Sequence, residues 1–282
     1  MLRDALPWVW SDGQLVKTDS VAAARLSAAL RRSRGIFETM RSFHSRIFGL
    51  AEHIARLRRS CPVVGLRPPS QASLTGAVEA VAGGNGPADV YLRLNAFGSR
   101  RKTHILVFAK KLSLPSPTAY ARGYSVILFD NPRLKRSDIT RIKSLNRIFY
   151  ERLFRRARRR GFDEALFLNE AGEVMEGTRT NVFLVKGHKV VTPSLGSGCL
   201  PGVTRAIVLK LLKKEGVTVR ERRVMPDEFL EQEEIFLTNS LIGIMPVRRF
   251  DKCRIGIDSP GRLTQKIAAL YKNAVEKSCF LR

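Results

Sequence analysis

Two short apolar runs, Trp8-Val9-Trp10 and Leu15-Val16, flank the polar turn residues Asp12-Gly13. That pattern predicts a β-hairpin closed by a two-residue turn. Residues 35–41 and 45–48 read as a second hairpin. Leu50, Ile54 and Leu57 then recur at helical spacing and predict a helix over 50–60. Residues 70–82 read as another helix, and 90–97 and 105–108 as strands. The polar stretch 112–118, which carries Pro115 and Pro117, breaks the pattern and predicts a linker. The domain boundaries expected from this are 1–113, a linker at 114–120, and 121–282.

The second half is denser. Residues 124–129 predict a strand and 145–160 a helix. Two hairpins follow, 164–168 with 173–175 and 181–185 with 190–191, each with a glycine in its turn. Residues 203–214 predict a helix stopped by Gly216. Strands are expected at 234–238 and 243–248, and a closing helix at 263–277. Strands and helices mix without strict βαβ alternation, which argues against a parallel dinucleotide-binding sheet.

The chain has 282 residues, 44% hydrophobic and 27% charged, as in ordinary globular proteins. Residues 1–8 lack the apolar core and small-residue cleavage site of a secretion signal, and no run is long and apolar enough to cross a bilayer. Cys61, Cys199, Cys253 and Cys279 are widely spaced, so neither a metal site nor a disulfide framework is expected. These features predict a cytoplasmic, reduced protein with no membrane partner. Fifty Lys and Arg against 25 Asp and Glu leave a net charge of +25, which favours anionic small-molecule substrates. The densest run, Arg152 to Arg160, leaves Leu153, Phe154 and Ala157 to pack, and reads as a solvated basic helix face. No nucleic-acid-binding motif accompanies it, so only non-specific attachment to nucleic acid is expected.

Three features together point to a chemistry. Lys143 lies in the partly apolar run Ile142-Lys143-Ser144-Leu145, where burial and the neighbouring Arg141 and Arg147 would depress its pKa, as an imine-forming amine requires. Glu176, beside Gly177, offers a carboxylate at a strand end. Leu200-Pro201-Gly202-Val203-Thr204 opens a helix, whose first amides and Thr204 hydroxyl suit a phosphate. Amine, carboxylate and phosphate cradle are the needs of pyridoxal 5′-phosphate (PLP).

The chain resembles the class IV aminotransferases, PLP enzymes of fold type IV. The resemblance runs from Gly35-Ile36-Phe37-Glu38-Thr39-Met40-Arg41 through Glu52-His53-Ile54-Ala55-Arg56-Leu57, Ile142-Lys143, Asp163-Glu164-Ala165 and Glu176-Gly177-Thr178. It continues through Leu200-Pro201-Gly202-Val203-Thr204-Arg205 and Phe236-Leu237-Thr238-Asn239-Ser240 to Gly243-Ile244-Met245-Pro246-Val247. It implies a two-domain α/β protein of the α+β type with the D-amino-acid-aminotransferase-like fold, the cofactor between the domains, and a homodimer. It further implies Lys143 as the catalytic lysine and Glu176 as partner of the pyridine nitrogen. Leu200 would pack on the ring, and Arg56, Val203, Thr204 and Ser240 would hold the phosphate.

Within the family, Lys143-Ser144-Leu145-Asn146-Arg147 and Leu237 to Val247 look most like 4-amino-4-deoxychorismate lyase, which makes 4-aminobenzoate for folate synthesis. Branched-chain aminotransferases usually carry a tyrosine shortly after the lysine, where this chain has Arg147 or Ile148. Arg93-Leu94-Asn95 departs from the Thr-Arg-Gly pattern common in the lyases. Arg93 and Asn239 are the expected substrate-binding residues. An amino-acid transaminase is the alternative activity, and a non-catalytic basic nucleic-acid-binding protein a more distant one.

Overall fold

The computed structural model describes residues 2–257 and 260–280. The chain divides into two units. One comprises Met1–Ser113, Ile142–Asn146 and Val275–Arg282; the other comprises Leu114–Arg141 and Arg147–Ala274.

The first unit is built on a six-stranded antiparallel sheet. Strands β1 (Ala5–Ser11) and β2 (Gln14–Lys17) form the expected hairpin. Its turn residues, Asp12 and Gly13, both have positive φ, 44° and 105°, which matches the twist of the flanking strands. Helix α1 (Val21–Arg32) follows, capped by the Ser20 hydroxyl, which accepts from the Ala23 amide. Then come β3 (Gly35–Phe43), β4 (Arg46–Ile47), α2 (Leu50–Ser60), α3 (Gln71–Gly84), β5 (Val90–Gly98) and β6 (Thr103–Lys111). The strand order is β2-β1-β6-β5-β3-β4.

Both faces of this sheet are buried. Ile105, Val107 and Ala109 of β6 join the core under α2 and α3, while Leu106 and Phe108 join the one under α1. The period of two is intact, yet with both faces apolar the strand reads as a continuous run. Helix α1 has no counterpart in the sequence reading. It buries Ala23, Leu26, Ser27 and Leu30 at helical spacing, but only Leu26 and Leu30 are large apolar side chains, so its apolar signal is faint.

The second unit carries α4 (Pro117–Arg122), β7 (Tyr124–Leu134), α5 (Ile148–Arg159), β8 (Glu164–Asn169), β9 (Val174–Gly177), β10 (Asn181–Lys186) and β11 (Lys189–Pro193). It continues with α6 (Val203–Lys214), β12 (Thr218–Arg222), β13 (Glu234–Asn239), β14 (Gly243–Phe250) and β15 (Cys253–Arg254), and α7 (Arg262–Cys279) begins in it. Its sheet runs β12-β11-β10-β13-β14-β7-β8-β9, with β15 on β14. Only β11/β12, β14/β7 and β7/β8 pair in parallel, so this is a mixed sheet and not a doubly wound one. Alternate residues again separate two cores: Ala165 and Phe167 pack with Leu153 and Ala157 of α5, while Leu166 and Leu168 join Val182 and Leu184 on the other face. Phe183 stacks on Phe236 with ring centroids 4.8 Å apart, under α6.

One boundary differs from expectation in a way that bears on function. The helix expected from residue 145 begins at Ile148. Residues 143–145 instead run extended beside β3: the Phe37 amide donates to Lys143 O and the Leu145 amide to Gly35 O, both at 2.9 Å. Lys143 is therefore anchored to a strand, not poised at a helix start. Residues 117–120, expected within a linker, begin α4, whose Pro117 sits at the helix start where a missing N–H costs nothing.

Candidate active site

The candidate residues fall in both units. In the first, β3 organises them. Phe37 and Glu38 are neighbours on a strand and leave it on opposite faces. On the Phe37 face, the Lys143 ammonium lies 5.3 Å from the ring centroid and the Arg93 guanidinium 3.7 Å from it. Arg93 comes from β5, two residues along from Asn95, the register partner of Phe37. Its Nε donates to Asn95 Oδ1 at 3.1 Å, and Asn95 Nδ2 donates to Leu106 O at 3.0 Å. Two residues singled out separately in the sequence, Lys143 and Arg93, thus share one aromatic ring.

On the other face, α2 presents His53 and Arg56, three positions apart and both buried, to the Glu38 carboxylate. Arg56 donates through Nε and Nη2 to the two Glu38 oxygens, the first at 2.8 Å, and His53 Nδ1 lies 2.8 Å from Glu38 Oε2. Burial by itself would raise the Glu38 pKa, but the Arg56 charge and the hydrogen bonds from Arg56 and His53 hold it at about 2. Burial lowers the His53 pKa in turn, against the opposing pull of the Glu38 carboxylate. Glu38 escaped the site list drawn from sequence. Its signal was a lone carboxylate in the apolar strand Gly35–Phe43.

In the second unit, Glu176 lies buried near the end of β9. Its Oε2 accepts from the Leu200 amide and from Asn181 Nδ2, each at 3.0 Å, and Asn181 Nδ2 also reaches Leu200 O at 3.0 Å. Glu176 and Leu200, predicted separately, are therefore joined directly. Gly177 allows the corner: a Cβ there would stand 2.2 Å from Thr180 Oγ1. The corner is fastened by a second carboxylate, which the sequence placed in the Asp163-Glu164-Ala165 motif without a role. Glu164 is buried and accepts from the amides of Ala165, Thr178 and Arg179 and from the hydroxyls of Thr178 and Thr180.

Helix α6 starts at Val203 behind Gly202, and no side chain caps it. A Cβ on Gly202 would lie 2.0 Å from the Asn181 side-chain oxygen, so a larger residue there would displace Asn181. Thr204 Oγ1 lies 3.5 Å from Ser240 Oγ, which brings two expected phosphate ligands to the same helix start. An uncapped helix N-terminus flanked by two hydroxyls has the donor chemistry of a phosphate site, and a buried, doubly held carboxylate suits a cationic ring nitrogen. Both fit PLP. Asn239 is engaged with main chain: Oδ1 accepts from the Leu241 and Ile242 amides at 2.9 Å and Nδ2 donates to Arg179 O at 3.2 Å.

The first turn of α5 adds a pair not foreseen as a unit. The Arg147 guanidinium stacks 3.7 Å over the Tyr150 ring and donates to Thr178 O. Burial, with the Glu176 charge in support, pushes the Tyr150 hydroxyl up to about 12. Where the sequence offered only Arg147 or Ile148 in place of a tyrosine shortly after Lys143, Tyr150 stands on the buried face of α5, within the electrostatic reach of Glu176.

Among the described residues, no helix is long and apolar enough to cross a membrane, and no group of three or more His, Cys, Asp or Glu could hold a metal ion. The D-alanine aminotransferase of Bacillus licheniformis is 29% identical over 278 residues, covering 94% of this chain and 95% of that protein. The branched-chain aminotransferase of Thermoproteus uzoniensis has the same fold at TM-score 0.86 and 26% identity, covering 98% of this chain and 97% of that one. A Legionella pneumophila structure, provisionally described as a 4-amino-4-deoxychorismate lyase, shares the fold at TM-score 0.80 and 23% identity, covering 87% and 92%. The family model for amino-transferase class IV matches residues 35–250, and the chain belongs to that family of PLP-dependent enzymes.

Proposed function

We propose that this protein is an amino-acid transaminase in which Lys143 and Glu176 serve one PLP molecule. The observation that carries the reading is the pairing of Lys143 with Arg93 on the Phe37 ring. An amine there would hold the cofactor's aldehyde, and a guanidinium on the same ring would hold a substrate carboxylate by a bidentate contact. Full-length relatives named for D-alanine and branched-chain amino acids support transamination over other uses of the family's fold.

PLP, when bound, supplies an electron sink for the carbon that loses its proton. Lys143 would take that proton as base and return it as acid, one residue in two roles. Glu176 would keep a positive charge on the ring nitrogen, and the Leu200 and Asn181 donors would keep its carboxylate in place. Arg56, the α6 amides at Val203 and Thr204, and the Thr204 and Ser240 hydroxyls would hold the phosphate, and Leu200 would lie against the ring. A homodimer in the cytoplasm is part of the same proposal.

A second reading, 4-amino-4-deoxychorismate lyase, is favoured by the segments Lys143 to Arg147 and Leu237 to Val247. The two separate in one assay of the purified holoenzyme, with a panel of D- and L-amino acids plus 2-oxoglutarate in one arm and aminodeoxychorismate in the other. Glutamate formation in the first arm is the expected result. 4-Aminobenzoate formation without any transamination would replace the first reading with the second.

A further inference from the structure

Six arginines crowd the end of α5: Arg152, Arg155, Arg156, Arg158, Arg159 and Arg160, all exposed. At about 100° per residue they divide into distinct sets around the helix axis. Tyr150, Leu153 and Ala157 mark the buried line. On one flank Arg156 and Arg160 fold over the Phe129 ring, 4.7 and 5.6 Å from its centroid. On the other, Arg158 pairs with Asp163 at 2.8 Å. Arg152, Arg155 and Arg159 lie within about 60° of one another and nearly opposite the buried line. None of those three has a carboxylate within ion-pair distance among the described residues.

Such a stripe is not neutral for the fold. Each arginine has another three or four positions away, and like-charge pairs at that spacing destabilise a helix. Attraction to the helix C-terminus offsets this in the last turn only, which leaves Arg152 and Arg155 uncompensated. The flanking arginines have partners within the protein. The outward three have no ion-pair partner among the described residues, and they span about 10 Å of helix at 1.5 Å per residue.

We propose that this outward stripe is a docking surface for the phosphate backbone of double-stranded nucleic acid, bound without regard to base sequence. Guanidinium groups match phosphate oxygens in geometry and charge. A duplex fits better than a single strand, because single-strand sites offer open aromatic faces for bases to stack on. Here Phe129, Phe154 and Phe162 are already covered by Arg156, Arg179 and Arg249. A membrane surface fits less well, since an interfacial helix inserts its apolar face into lipid and the apolar face of α5 is packed in the core. The surface lies outside the residues assigned to PLP, so the proposal does not depend on the proposed activity.

The test uses the PLP-loaded protein and fluorescently labelled 20-base-pair duplexes, one RNA and one DNA, of unrelated sequence. Anisotropy titrations between 50 and 200 mM salt give affinity and its salt dependence. The triple variant Arg152→Gln, Arg155→Gln, Arg159→Gln should bind at least about tenfold more weakly at 0.1 M salt. Its slope of log affinity against log salt should be shallower by about 2–3, near one per lost phosphate contact. Its transamination rate should stay within about threefold of wild type, since screened surface charges contribute little there. Lys210→Gln, Lys213→Gln, Lys214→Gln, on exposed positions of α6, removes the same charge elsewhere and should change duplex binding less than about threefold. Three results would overturn the proposal. They are absence of duplex binding by the wild type, an equal loss in the α6 control, and phosphatidylserine vesicles displacing the duplex as well as unlabelled duplex does at equal charge.

Discussion

Replacing Glu38 by glutamine removes the negative charge that Arg56 and His53 share inside the first unit. The side chain keeps its size, and Arg56 keeps an acceptor, but a buried guanidinium loses its counter-ion. Two independent routes give the cost. Breaking a buried ion pair by removing one partner costs about 3–5 kcal/mol. Holding the carboxyl at about 2 instead of its ordinary 4.5 corresponds to about 3 kcal/mol at neutral pH, at about 1.4 kcal/mol per pH unit. The unfolded chain binds the proton near 4.5 and the folded chain only near 2, so this stability is complete above pH 4.5 and is lost as pH falls toward 2. Trp8 and Trp10, the two tryptophans of the chain, both lie in β1, so intrinsic fluorescence follows the first unit during urea unfolding. With slopes of about 1–3 kcal/mol per molar urea, Glu38→Gln should lower the midpoint at pH 7 by about 1–3 M. The gap from wild type should narrow below pH 4.5. Adding Arg56→Met should recover part of the loss, because both charges are then gone. A single variant whose midpoint stays within about 0.3 M of wild type would refute the claim that this pair holds the unit together.

Two further outcomes test the catalytic assignments. Borohydride reduction of the holoenzyme and peptide mapping should place the pyridoxyl group on Lys143, and its appearance on another lysine would remove Lys143 from the site. Glu176→Gln should retain cofactor absorbance but lose turnover by about 10²–10³, the cost of removing one preorganised electrostatic partner. Near-normal turnover in that variant would show that Glu176 does not face the ring nitrogen.

Much of this protein was legible from local pattern. Asp12-Gly13 determined its hairpin turn because both positions need positive φ. Leu50, Ile54 and Leu57 marked α2, and Gly202 and Gly216 bracketed α6, since each signal acts within a turn or two of chain. The alanine-rich α1 was not legible, because small residues bury well but announce little. The site divides in the same way. Lys143, Glu176, Thr204 and Ser240 stood out by residue type and order. Their partners did not: Glu38 for Arg56, Asn181 for Glu176, and Glu164 for the corner at 178–180, while Leu200 was expected against the ring and not as a donor to Glu176. Residues 142–146 likewise could not be known from local pattern to return to the first unit and lie against β3. A buried charge or an extended segment is stable only where another part of the chain supplies the counter-ion or the hydrogen bond. Periodicity reports the environment of neighbours in sequence, whereas most of those partners stand far along the chain and are chosen when the strands and helices pack.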